Sequence, residues 1–336
     1  MKLFLIRASL ILLLFPFSLF AQDKLIFAVD IIRHGDRTPS ADIAYPPHSW
    51  PEGLGQLTAT GMQQEFQNGV GFRQLYVTQE HLLPASYQTG TMYVRSSDYD
   101  RTLMSAESAM MGLYPLGPGP NASQPIPIHT EAQKNDPLFF SFEKQGLPLF
   151  QKYVFPSPAW QAENTKLESH YAYWSQVSGV KVDSLYDVID LGDALYIRQL
   201  HHVALPQDLS SDDVHTIIAA FQWSIARLFY PQEVSGPLAH NLLMAIDDYF
   251  IDASHTKTHL KYVVYSAHDV TILSTLSALG APLDNQVPYA SDLKLELIEN
   301  DAQQDFVVIS LNGKPITIPT CASNQCPLSQ FIKIDR

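Results

Sequence analysis

The segment KLIFAVDII, residues 24–32, is apolar at nearly every position and runs straight into Arg33-His34-Gly35-Asp36-Arg37. An apolar run of that length predicts a strand buried on both faces, the centre of a sheet covered by helices on each side. Two arginines, a histidine and an aspartate then follow at the point where such a strand leaves the core. Two further stretches repeat the pattern. TMYVRSS carries Arg95 at its end, and LKYVVYSA stops at His268-Asp269.

Each of these predicted strands leads towards a helix. After the first comes PEGLGQLTATG, a proline- and glycine-bearing loop in which Thr58 or Thr60 can cap a helix running to about Tyr76. After the second, DYDRTLMSAESAMMGLY reads as a helix with Asp98 at its start and Leu103, Ala106, Met110 and Leu113 on one face. After the third, HDVTILSTLSALG reads as a helix ended by Gly280. SQPIPIHT suits an extended edge. SDLKLELIEN and QDFVVISLNGKPITIP predict antiparallel strands with a tight turn at Asn312-Gly313. Strands alternating with helices predict an α/β sheet, and ligands of such sheets sit at the carboxyl ends of the strands. Between about 135 and 255 aromatics, polar turns and short helical patterns take over. The expected organisation is an α/β core domain from 22–134 and 256–336, interrupted by a mostly helical cap insertion at 135–255.

If the three strands are neighbours, their end clusters share one rim. Arg33, Arg37 and Arg95 then bring three guanidiniums together with His34 and His268. Such a group repels itself unless an anion lies within it, and a phosphate matches because each guanidinium offers planar paired donors. The surrounding cations lower the pKa of His34, so a neutral, nucleophilic imidazole persists in mild acid. Asp269 is the candidate proton donor to a leaving oxygen. The charge balance sharpens this reading. The chain carries 21 basic and 34 acidic residues, a net charge of −13. An acidic surface repels nucleic acid and anionic lipid, so an anion site must be a local basic pocket.

Residues 1–21 read as a secretory signal peptide: Lys2 and Arg7, the apolar LILLLFPFSLF, and Ala21 at the cut. The apolar run is short for a membrane span. An exported protein, periplasmic or secreted, meets oxidising conditions. The two cysteines, Cys321 and Cys326, then suit one short-loop disulfide worth about 2 kcal/mol at most. A metal site is the competing reading, and it lacks a second pair of ligands.

RHGDRTP, WPEGLGQLTATGMQQ, RSSDYDRT and SAHDVT together resemble the histidine acid phosphatase family, in its prostatic/lysosomal acid phosphatase-like branch. The likeness runs over about 25–130 and 260–275, and CASNQCPL resembles that branch's C-terminal cysteine pair. The resemblance implies a phosphoglycerate mutase-like mixed sheet flanked by helices, with a smaller helical cap. It implies His34 as the nucleophile that forms a phosphohistidine. Arg33, Arg37, Arg95 and His268 would hold the phosphate, and Asp269 would protonate the leaving group. No cofactor and no metal is implied. The expected partner is a small phosphomonoester, and a homodimer is open because the branch is often dimeric. Asp36 receives only local hydrogen bonding, and His201-His202 only a place on the surface or cap. Three other readings stand beside this one. They are a phytase-like phosphatase of the same family, an exported phosphate-binding protein without turnover, and a phosphoglycerate mutase-like transferase.

Overall fold

The computed structural model describes residues 23–115, 125–256 and 258–334, so the expected leader at 1–21 lies outside the described residues. The strands are β1 (Lys24–Arg33), β2 (Met92–Ser96), β3 (Ile128–His129) and β4 (Tyr262–Ala267), followed by β5 (Asp292–Glu299), β6 (Asp305–Leu311), β7 (Lys314–Ile316) and β8 (Gln325–Pro327). They form one sheet in the order β3-β2-β4-β1-β5-β6-β7, with β8 also paired to β6. The half from β3 to β1 is parallel, and from β5 onward the pairing is antiparallel. The fold is therefore a mixed α/β sheet flanked by helices. Asn312 and Gly313, both at positive φ, turn β6 into β7 as their dipeptide predicts.

The helices that matter here are α1 (Ala59–Phe72), α2 (Asp100–Leu113), α3 (Pro158–Ser178), α4 (Val188–Leu200), α5 (Ser211–Arg227), α6 (Gln232–His255) and α7 (Asp269–Ala278). Side chains of β1 alternate between two cores. Ala28 and Ile32 join Phe72, Tyr76, Ala106, Met110 and Leu113 under α1 and α2. Phe27, Val29 and Ile31 join Leu243, Ile246, Phe250, Ile272 and Leu276 under α6 and α7. Helix α6 falls inside the segment expected to be cap, yet it covers the sheet; Phe250 meets the Phe27 ring edge-on at 6.1 Å. Trp160, Leu167, Trp174, Leu191, Leu195, Ile217 and Phe221 of α3, α4 and α5 build a third cluster of their own.

Thr58, not Thr60, caps α1, its hydroxyl accepting from the Gly61 N–H, and the helix widens into π turns as far as Gln79. Tyr99 stands at the cap of α2, so Asp98 lies before the helix rather than at its start. Cys321 and Cys326 are joined as a disulfide beside β8. Among the described residues no helix is long and apolar enough to cross a membrane.

Candidate active site

The register of the parallel strands decides which side chains reach the rim. In the pairing of β1 with β4, Arg33 is opposite Ala267, so the next residues, His34 and His268, leave the sheet at the same level. In the pairing of β2 with β4, Ser96 is opposite Ser266 and Arg95 is opposite Tyr265. Continued in that register, the β2 segment reaches the same level only at Asp98, and Arg95 stops three positions short.

The consequence is a correction. Arg95 does not line the cleft. Its guanidinium is buried beside β2, bonded to Asp136 at 2.7 Å and to the Ser96 carbonyl, and it lies over the Phe139 ring. The guanidinium that enters from this side belongs to Arg101, in the first turn of α2. Sequence reading placed Arg101 on a helix and went no further. The signal that points to it is position: a helix that begins where a parallel strand ends presents its first turn to the rim.

His34 and His268 face each other edge to face, with ring centroids 5.5 Å apart. The Nδ1 of His34 lies 2.8 Å from the Gly35 carbonyl. A carbonyl only accepts, so the proton sits on Nδ1 and Nε2 carries the free lone pair. Gly35 is required by close approach, because a Cβ there would stand 2.3 Å from the Gly61 carbonyl oxygen at the start of α1. Burial, then Arg101, Arg33, His268 and Arg37, hold the His34 pKa well below that of a free imidazole. His268 is pushed down to about 3, first by burial and then by Arg101, with Asp269 opposing. Its Nε2 is 3.0 Å from the Ser97 hydroxyl.

Asp269 opens α7. Its carboxylate is 3.2 Å from Arg33 and accepts a hydrogen bond from Gln286. Burial raises its pKa, but Arg33, Arg37 and Gln286 outweigh burial and hold it below the usual value. Arg37 makes paired bonds, both 3.0 Å, to Asp193 of cap helix α4. Arg101 has no carboxylate in ion-pair contact among the described residues; its guanidinium lies 4.4 Å from the centre of the Tyr99 ring. Burial and the repulsion of Arg37 lower its pKa to about 10. Arg33, Arg37 and Arg101 share one further property: each has a buried Nε–H without a hydrogen-bond partner among the described residues.

His34, Arg37, Arg101, His268 and Asp269 line a cleft of about 860 Å³, and Arg33 stands behind Asp269. The outer walls carry Tyr99, Phe139, Phe140 and Phe142, with Lys134 and Lys144 at the mouth alongside Asp98 and Glu143. Asp36 accepts from the Thr58 hydroxyl, and His201 Nε2, just past the end of α4, lies 2.9 Å from its carboxylate. Asp193 and His201 are contributions from the cap that no local sequence pattern marks.

A family model for the histidine phosphatase superfamily (branch 2) matches residues 24–176 and 230–312, and the chain belongs to that superfamily. Lysosomal acid phosphatase of Bos taurus is 33% identical over 353 residues, covering 98% of this chain and 82% of the relative. Testicular acid phosphatase of Homo sapiens is 30% identical, covering 97% of this chain and 82% of that one. Among solved structures, the phytase of Klebsiella sp ASR1 superposes with a TM-score of 0.70 at 16% identity, over 93% of this chain and 95% of that one. Hafnia alvei phytase in complex with tartrate gives 0.68 at 16%, over 93% and 96%. The structural likeness is one of fold. Membership and the acid phosphatase relatives support phosphomonoester hydrolysis as the activity.

Proposed function

We propose that the chain is an exported acid phosphatase that hydrolyses small phosphate monoesters through a phosphohistidine at His34. The observation that carries this is the convergence of three guanidiniums, each with an unspent buried Nε–H, on a neutral imidazole whose free nitrogen is Nε2. Arg33, Arg37, Arg101 and His268 hold the phosphoryl oxygens. His34 Nε2 attacks phosphorus, the ester P–O bond breaks, and the leaving oxygen takes a proton from Asp269. Water then attacks phosphorus and gives a proton to Asp269, the P–N bond breaks, and phosphate leaves with the neutral imidazole restored.

The depressed pKa of Asp269 stands against a proton-donor role in the free enzyme. Bound phosphate removes that objection in two ways. It competes for Arg33, now paired with Asp269, and it adds negative charge beside the carboxyl. An acidic optimum follows, because Asp269 must be protonated while His34 stays neutral. The aromatic outer walls favour aryl or other apolar leaving groups. The two mouth lysines, set beside carboxylates, give little for a heavily phosphorylated substrate.

The test is His34→Ala against an aryl phosphate at pH 5 to 6. The expected loss in kcat is roughly 10³-fold or more with the fold intact by circular dichroism. Turnover near that of the wild type removes His34 from the mechanism. Tight stoichiometric phosphate binding by a wild-type protein that turns nothing over favours the binding-protein reading instead.

A further inference from the structure

The loop from Val287 to Ser291, between α7 and β5, is laid against the start of the nucleophile segment. Arg33 N–H donates to the Ser291 carbonyl at 2.8 Å, Ala290 N–H donates to the His34 carbonyl at 3.2 Å, and the Arg33 guanidinium donates to the Val287 carbonyl. Asn68 of α1 holds the Ala290 carbonyl at 2.9 Å. The turn closes from Ser291 N–H to the Pro288 carbonyl, and its third residue, Ala290, sits at φ +54°. Turns ordinarily give such a position to Gly or Asn, so the chain holds an alanine in a strained conformation here. That conformation fixes the residue before it, Tyr289. The Arg33 guanidinium lies 4.1 Å from the centre of the Tyr289 ring, and the His34 ring stands 5.8 Å from it. The phenol hydroxyl is buried and has no hydrogen-bond partner among the described residues.

Resting on the proposed reaction, we propose that Tyr289 is a positioning residue for the phosphoryl site. Its ring is the platform over which the Arg33 guanidinium sits, and Arg33 in turn touches Asp269 and shapes the charge around His34. Stacking of a guanidinium on an aromatic face is directional and strengthens out of water. With one face on Tyr289 and one edge on the Val287 carbonyl, Arg33 stays in place while arriving phosphate draws its remaining edge from Asp269. The groups facing Tyr289 are Arg33 of β1, His34, Asp36 and Arg37 of the following loop, and Asp193 and Tyr196 of α4. The work is assigned to the ring and none to the hydroxyl.

Two substitutions separate ring from hydroxyl. Tyr289→Phe keeps the platform. It leaves kcat/KM and inorganic phosphate affinity within twofold of wild type, and it does not lower Tm, because only an unpartnered hydroxyl is lost. Tyr289→Leu removes the platform. It lowers kcat/KM and phosphate affinity by roughly tenfold each, and it moves the acid limb of the kcat/KM profile to higher pH, since a wandering Arg33 no longer holds the His34 imidazole neutral. Tyr289→Trp restores most of both. A residue that served stability alone would lower Tm without moving the acid limb. Wild-type phosphate affinity and an unmoved limb in folded Tyr289→Leu overturn the proposal, and so does a Tyr289→Phe loss as large as the leucine one. Phosphate affinity by calorimetry judges Tyr289 even if the wild type hydrolyses nothing, an outcome that would instead sink the proposed reaction.

Discussion

At the scale of single residues, Arg95 and Arg101 make opposite predictions from similar chemistry. Arg101 lines the cleft and is second only to burial in lowering the His34 pKa. Arg101→Ala should cost roughly 10²–10³-fold in kcat/KM, the scale of losing one preorganised donor to developing charge. It should also raise the acid limb: with less positive charge nearby the imidazolium is less disfavoured, so protonation sets in at a higher pH. Arg95 is buried against Asp136. Arg95→Ala strands that carboxylate, so the expected loss is in stability, about 3 kcal/mol, with the acid limb unmoved. Steady-state kinetics and thermal melts on the two variants check the pair, and a reversal of their effects would restore Arg95 to the clamp. For Asp269→Asn, the expected defect is large with an alkyl leaving group and about tenfold or more smaller with an aryl one, which leaves without full protonation. Equal defects across leaving groups would remove Asp269 as the acid. Five of the six groups named from sequence lie together at the sheet rim, because each lies within four residues of the end of a strand whose apolar run is unmistakable. Arg95 does not. A strand's end is uncertain by about two to four positions from sequence, and here that margin separates a buried ion pair from the rim.

At the scale of elements, β1 and β5 hide an acidic network beneath α1. Asp30 is fully buried and accepts from the hydroxyls of Tyr76 and Tyr262, at 2.8 and 2.7 Å, and from Lys294 at 3.2 Å. Asp292 and Glu296 lie on β5 beside it, each with a pKa raised to about 7, first by burial and then by Asp30. Burial raises Glu65 of α1 as well. The sign of the linkage follows. A carboxyl whose folded pKa exceeds its unfolded one binds its proton more tightly in the folded state. Its contribution is full below about pH 4 and is lost as pH rises through about 7. Glu296→Gln should therefore raise Tm at pH 7.5 by about 2 °C or more, and by much less at pH 5. The same increment at both pH values would show that Glu296 is not protonated in the folded protein. The elements themselves were largely readable: alternating strands and helices, a threonine cap at Thr58 or Thr60 and the Asn312-Gly313 turn all follow from local chemistry, and packing chose Thr58. The placement of α6 was not, because an amphipathic helix does not state which apolar surface it will cover.

At the scale of the whole molecule, the site is assembled from three strand ends, one helix turn and a cap. Residues as far apart as Arg37 and Asp193 meet only when α4 closes over the rim. Nothing in a linear reading announces that contact, because it depends on tertiary packing alone. The acidic charge, by contrast, was plain in the composition, and it set the expectation of one local basic pocket. The proposed function rests on a covalent step at one nitrogen. Rapid-quench labelling tests that step most directly, using an aryl phosphate carrying radioactive phosphorus at pH 5. Wild-type protein should trap an acid-labile, base-stable phosphoenzyme within its first turnover, and His34→Ala should trap none. Burst-free turnover with no label on the protein, or equal label on the alanine variant, would contradict a nucleophilic His34.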